Sequence, residues 1–181
     1  MPGKQVTVFG GSSPKPGETA YEDAHHLGYL LGSAGFTVLT GGYIGTMEAV
    51  SRGAAEAGAN VIGVTCDEIE AWRPVGANQW VKQEMRFSSL RERLFALLDN
   101  CDAAIALPGG PGTLTEISLM WNQMIIGSLP RRPLILVGEG WKQIFATFFH
   151  IQGDYVPAAQ REMLEFSPNV EQAISRLPHG K

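Results

Sequence analysis

A chain of 181 residues, 44% hydrophobic and 18% charged, has enough apolar material for one self-supporting core and no composition suited to an extended disordered tail. Its formal net charge of −4 excludes the basic field that non-specific DNA or RNA binding requires, although a phosphate can still be held by helix N-termini and a single arginine. No apolar run approaches the ~18 residues of a membrane helix, and the N-terminus runs into a strand without a signal-peptide core, so neither a membrane nor a nucleic acid is expected as a partner and the location is expected to be cytoplasmic.

Short apolar runs alternate with longer helical patterns along the whole chain. Strands are expected at Val6–Phe9, Thr37–Thr40, Val61–Val64, Ala103–Leu107 and Leu134–Val137. Helices fall between them at Glu18–Ala34, Thr46–Ala57, Ser89–Leu98 and Thr113–Ile126, with another after Gly140 and a last one near Val170–Leu177. This order predicts a single α/β domain over residues 1–181, a Rossmann-like doubly wound parallel sheet with helices on both faces. Asp67–Arg86 is the one long irregular segment, and a loop of that length is expected to be either a functional lid or an unrecognised element.

Ligands of such sheets sit beyond the carboxyl ends of the strands, where the order of the strands reverses. Three glycine-rich segments follow strand ends here: Gly10-Gly11-Ser12-Ser13, Thr40-Gly41-Gly42-Tyr43-Ile44-Gly45 and Pro108-Gly109-Gly110-Pro111-Gly112-Thr113. In the third, Gly109, Gly110 and Gly112 can adopt positive φ and leave the backbone N–H groups bare as an anion nest. The following helix adds its dipole and Thr113 a hydroxyl. A Walker loop would need Lys and then Ser or Thr after the last glycine, and a dinucleotide fingerprint would need GxGxxG after the first strand; neither is present.

Glu116 allows two readings. Thr113-Leu114-Thr115-Glu116 has the spacing of a capping box, which would fold the carboxylate back on the helix N-terminus; alternatively the carboxylate stands beside the phosphate loop and meets a ribose or a water. Ser89-Leu90-Arg91-Glu92 is a second capping box, which starts a helix at Ser89 on the same sheet edge. One turn in, Arg93 is either a solvated surface residue or reaches the phosphate loop; Arg91 points elsewhere. His25 and His26 are expected at the surface or an interface, and His150 and His179 have no partner spacing. No metal and no cofactor is expected, because no His, Cys or Asp cluster has ligand spacing. Cys66 and Cys101 form no CxxC pattern and are expected to be buried, reduced thiols. Trp72, Trp80 and Trp121 are expected in the core rather than as base-stacking platforms, with the Trp72–Trp80 loop the best candidate for an exception. The helix Thr113–Ile126 is apolar nearly all round, which predicts burial on both sides, one against the sheet and one against a second subunit of a homodimer.

These residues resemble the LONELY GUY family, also described as possible lysine decarboxylases. The family's motif PGGxGTxxE stands complete as Pro108-Gly109-Gly110-Pro111-Gly112-Thr113-Leu114-Thr115-Glu116, and Gly41–Met47 and Gly10–Ser13 match its other loops. The resemblance implies a nucleoside 5′-monophosphate phosphoribohydrolase, which cleaves the N-glycosidic bond to free base and ribose 5-phosphate. It implies Arg93 and Glu116 as the catalytic pair, Gly109, Gly110, Pro111, Gly112 and Thr113 around the phosphate, Gly11 and Ser12 beside it, and Gly42, Gly45 and Met47 on the facing wall. Asp102 falls on the family's Asp before the fourth strand. Leu94, Leu90 and Thr115 stand where the family usually has Lys, Met and Glu, and Thr40 where it has the first of three glycines. A related branch resembles molybdenum-cofactor carriers, which hold a phosphorylated pterin on the same fold without chemistry. That makes a binding protein the alternative to an enzyme, with a phosphorylated heterocycle as the partner in either case.

Overall fold

The structure, a computed structural model, describes residues 3–177; His179 lies outside them. Seven parallel strands form one sheet in the order β4-β3-β2-β1-β5-β6-β7. They are β1 (Gln5–Phe9), β2 (Thr37–Thr40), β3 (Val61–Cys66), β4 (Gln83–Phe87), β5 (Ala103–Ala106), β6 (Leu134–Val137) and β7 (Glu165–Ser167). The helices are α1 (Thr19–Ser33), α2 (Thr46–Glu56), α3 (Asp67–Trp72), α4 (Leu90–Asp99), α5 (Pro111–Ile125), α6 (Glu139–Gln152), α7 (Ala158–Arg161) and α8 (Val170–Ile174). The α/β class and parallel sheet match expectation, and the last helix ends at Ile174.

Alternation along the strands divides the core. Val6 and Val8, with Ala103, Ile105 and Leu107, face α1, α2 and α8. Phe9, Ala104 and Ala106 face the other way, toward α4, α5 and α6. Each fully buried Leu, Ile or Val contributes about 1.5–3 kcal/mol, so both faces must be covered, and β1 and β5 at the centre carry almost no exposed residue. Thr7 is the polar exception; its Oγ1 donates to the Leu97 carbonyl at 2.8 Å, which satisfies the hydroxyl inside the core. Asp102 accepts the Gln5 N–H at 2.7 Å and so ties the approach to β5 to the start of β1.

The segment Asp67–Arg86 is not an irregular loop. It contains α3 and most of β4, which pairs with β3 through Val64↔Met85 and Thr65↔Arg86. Strand β4 is an edge strand with exposed Gln83, Glu84 and Arg86, so it lacks the apolar signature of its neighbours. Three-residue β7 forms the opposite edge and was likewise unmarked by its composition.

Strand order reverses between β1 and β5. The chain leaves β1 toward one face and β5 toward the other, which opens a crevice between their carboxyl ends. Both cysteines are free and buried. No helix among the described residues is long and apolar enough to cross a membrane.

Candidate functional site

A cleft of about 390 Å³ lies in that crevice, lined by residues of all three glycine-rich segments, Gly10–Ser13, Tyr43 and Gly110–Thr113, and by Met47 of α2. Of the residues expected at the site, Gly11, Ser12, Met47, Arg93, Gly110, Pro111, Gly112, Thr113 and Glu116 line it. Gly42, Gly45 and Gly109 do not line it; they let the loops behind it approach each other.

Two of these glycines show why. Gly45 adopts φ +71° at the start of α2, and a Cβ there would stand 2.5 Å from the Ser12 backbone. The α2 entry can therefore pack on the β1 loop, where Thr46 N–H donates to Gly11 O at 2.9 Å. At Gly109 the requirement is space rather than left-handed backbone. A Cβ would fall 2.2 Å from Thr113 Oγ1 and 3.0 Å from Gly11 N. None of Gly109, Gly110 and Gly112 has positive φ, so the expected positive-φ nest is replaced by an open N-terminal turn with no side chains in the way.

Helix α5 starts at Pro111, with Gly110 as its N-cap, two residues earlier than its apolar pattern suggested. Proline suits that position because its missing N–H has no helical partner there. The shift moves Glu116 from the third to the sixth helical position, so the capping box predicted with Thr113 does not form. Thr113 and Glu116, three residues apart, instead share a buried face. Thr115 turns outward and donates to Pro111 O at 2.8 Å. The second capping box does form: Ser89 Oγ accepts the Glu92 N–H while Glu92 takes the Ser89 N–H.

That box fixes the start of α4 and with it Arg93, which is buried rather than solvated. Its Nε donates to Val64 O at 2.7 Å and its Nη2 to Gly41 O at 3.2 Å, while the guanidinium lies 5.6 Å from the Tyr43 ring centroid. Carbonyls and a π face hold this cation, which forms no ion pair among the described residues and lines the cleft. Tyr43 is itself locked, taking the Cys66 N–H at 2.8 Å and donating to Cys66 O at 3.1 Å.

Glu116 faces the same cleft from α5. Burial pushes its carboxyl up to about 7, with Arg93 pulling the other way. The folded chain therefore holds this proton more tightly than the unfolded chain. The stability so gained is fully present below about pH 4.5 and is lost as pH rises toward 7, roughly 3 kcal/mol in all. A carboxyl group buried in a cleft where its ionisation costs stability marks Glu116 as a candidate functional residue.

The cleft also contains residues that sequence reasoning did not place there: Ile69, Trp72 and Arg73 from α3 and its end. The signal was the long segment after β3 and its tryptophans, which marked the region without resolving it. Trp121 is in the core, donating its indole N–H to Gln160 O at 2.8 Å. His25 and His26 lie on α1 beside Glu56 and Glu171, at 2.7 and 3.2 Å, outside the cleft. On α5, Ile117, Met120, Trp121 and Met124 are buried, whereas Leu114 and the C-cap residue Ile126 are exposed, so only one side of this helix is covered within the chain.

Residues 47–177 match the family described as "Possible lysine decarboxylase". A probable cytokinin riboside 5′-monophosphate phosphoribohydrolase of Oryza sativa subsp. japonica is 33% identical over 179 residues, spanning 96% of this chain and 71% of that protein. A cytokinin riboside 5′-monophosphate phosphoribohydrolase of Arabidopsis thaliana is 28% identical over 179 residues, spanning 96% and 77%. Among solved structures, the molybdenum cofactor binding protein of Rippkaea orientalis shares the fold, with a TM-score of 0.75 at 23% identity over 97% of this chain and 95% of that one.

Proposed function

This chain belongs to the LONELY GUY family, described as possible lysine decarboxylases, and from that premise we propose that it cleaves the N-glycosidic bond of nucleoside 5′-monophosphates. The observation that carries this reading is the buried carboxyl of Glu116, on the same helix as the Gly110–Thr113 turn and facing the same cleft as Arg93. The 5′-phosphate sits at the α5 N-terminus, where free N–H groups and the helix dipole meet it. Side chains on a helix lean toward its N-terminus, so Glu116 reaches back toward the ribose of a ligand anchored there. As a carboxylate it stabilises the oxocarbenium-like transition state or orients the attacking water, as carboxylates do in other glycosidic cleavages. Arg93 anchors the nucleotide and stabilises negative charge leaving on the base.

The alternative is a carrier that uses the same turn to hold a phosphorylated pterin without chemistry, favoured by the fold shared with the Rippkaea orientalis protein. Incubation with AMP and other nucleoside monophosphates, with assay for free base and ribose 5-phosphate, separates the two. Release of base from a monophosphate but not from its nucleoside is the expected result. Tight binding of a phosphorylated pterin with no base release from any monophosphate would establish the carrier.

The same reading includes a homodimer. Leu114 and Ile126 of α5 and Ile144, Phe148 and Ile151 of α6 expose apolar surface that a second copy would cover. Sedimentation at micromolar concentration should show a species of twice the 19.6 kDa chain mass, and a stable monomer would exclude this assembly.

A further inference from the structure

Trp72 is 79% exposed, yet it lines the cleft. Large aromatic side chains usually contribute to cores, and α3 itself is firmly held, so this exposure is not slack in the chain. Arg86 on β4 grips Glu70 through two bonds, at 2.9 and 2.8 Å, and Asp67 at 2.8 Å. Glu68 takes the Leu90 N–H at 2.7 Å, and the Tyr43 hydroxyl lies 3.5 Å from Glu70. Five hydrogen bonds, to β4, α4 and the loop after β2, fix the short helix whose last residue presents an indole to the cleft.

The next residue completes the arrangement. Arg73 places its guanidinium carbon 5.7 Å from the Trp72 ring centroid and donates from Nη1 to Ser12 Oγ at 3.1 Å, which clamps the arm to the β1 loop. Its Nε is buried with no acceptor. A buried donor without a partner calls for an explanation, and here it sits beside an open aromatic face on the rim of a polar cleft.

We infer that Trp72 is the stacking platform for the fused heterocycle of the phosphorylated ligand, with Arg73 as the residue that positions it. The inference rests on the reading of the cleft as a phosphate-plus-heterocycle site, and not on turnover. The phosphate is held at α5 and the heterocycle lies on the indole, which Arg73 holds in place through its contact with the ring and its bond to Ser12. Stacking of this kind tolerates different rings, because every base has a π face. It therefore suits a purine and a pterin alike.

The test is calorimetric titration of wild type, Trp72→Ala and Trp72→Phe with AMP, neopterin monophosphate and ribose 5-phosphate. Trp72→Ala should weaken at least one of the two bicyclic ligands by about 10- to 100-fold, and which one identifies the ring. Ribose 5-phosphate, which has nothing to stack, should bind all three proteins alike, and Trp72→Phe should recover most of the loss. The fluorescence quenching that the bicyclic ligand causes in wild type should be reduced in Trp72→Phe. Equal affinity of wild type and Trp72→Ala for both bicyclic ligands, or an equal loss for ribose 5-phosphate, overturns the inference while the cleft assignment stands. Failure of ribose 5-phosphate to bind wild type would show separately that the cleft assignment is wrong, and the inference would fall with it.

Discussion

Glu116→Gln is expected to lower turnover of nucleoside 5′-monophosphates by about 10²-fold or more while leaving their affinity nearly unchanged. The substitution keeps the shape and one acceptor oxygen but removes the negative charge that meets a cationic transition state, and losses of this size are typical for electrostatic or general-base groups. The phosphate turn at Gly110–Thr113 is untouched, so ground-state binding should persist. The pH dependence follows from the burial. With the carboxyl at about 7, wild-type kcat/KM should rise with pH through that value as Glu116 ionises, and the variant should be flat over the same interval. A wild-type profile that falls across this interval would mean that the protonated acid is the active form. An equally active variant would end the catalytic assignment.

Removing the phosphate from the ligand is expected to cost about 10³-fold in affinity. The first turn of α5 leaves the N–H groups of Gly112 and Thr113 without helical partners, and Gly110 and Gly112 carry no side chain to screen them. Charge-assisted hydrogen bonds contribute about 1.5–3 kcal/mol each, so two of them, together with the dipole of a 15-residue helix, account for that factor. Calorimetry with AMP against adenosine measures it directly. If the nucleoside binds as well as the monophosphate, the turn is only a strand-to-helix connection.

Much of this site is legible in the sequence, because the residues that form it obey strong local rules. Apolar four-residue runs mark buried parallel strands, and glycine clusters at their ends mark the crevice. Ser89 and Glu92 form their capping box as expected, which fixes α4 and so the placement of Arg93. The failures have equally local causes. Thr113-x-x-Glu116 carries the spacing of a helix start, but Pro111 begins the helix two residues earlier, and that offset turns an expected cap into a buried carboxyl at the cleft. Gly109 was expected to need positive φ, whereas it needs room for Thr113 and Gly11. Trp72 and Arg73 reach the cleft on an α3 anchored in part by Arg86, from a strand whose partly polar sequence hid it.

That hidden strand limits the ways in which copies of this chain could meet. A parallel sheet ends in two rows of unpaired backbone groups, each a template for another strand. Here β4 arms its edge with Glu84 and Arg86, and β7 is only three residues long. Both ends of the sheet are thus blunted against strand addition. Any self-association would therefore use helix faces, where contact is geometrically limited, rather than sheet edges, where it propagates.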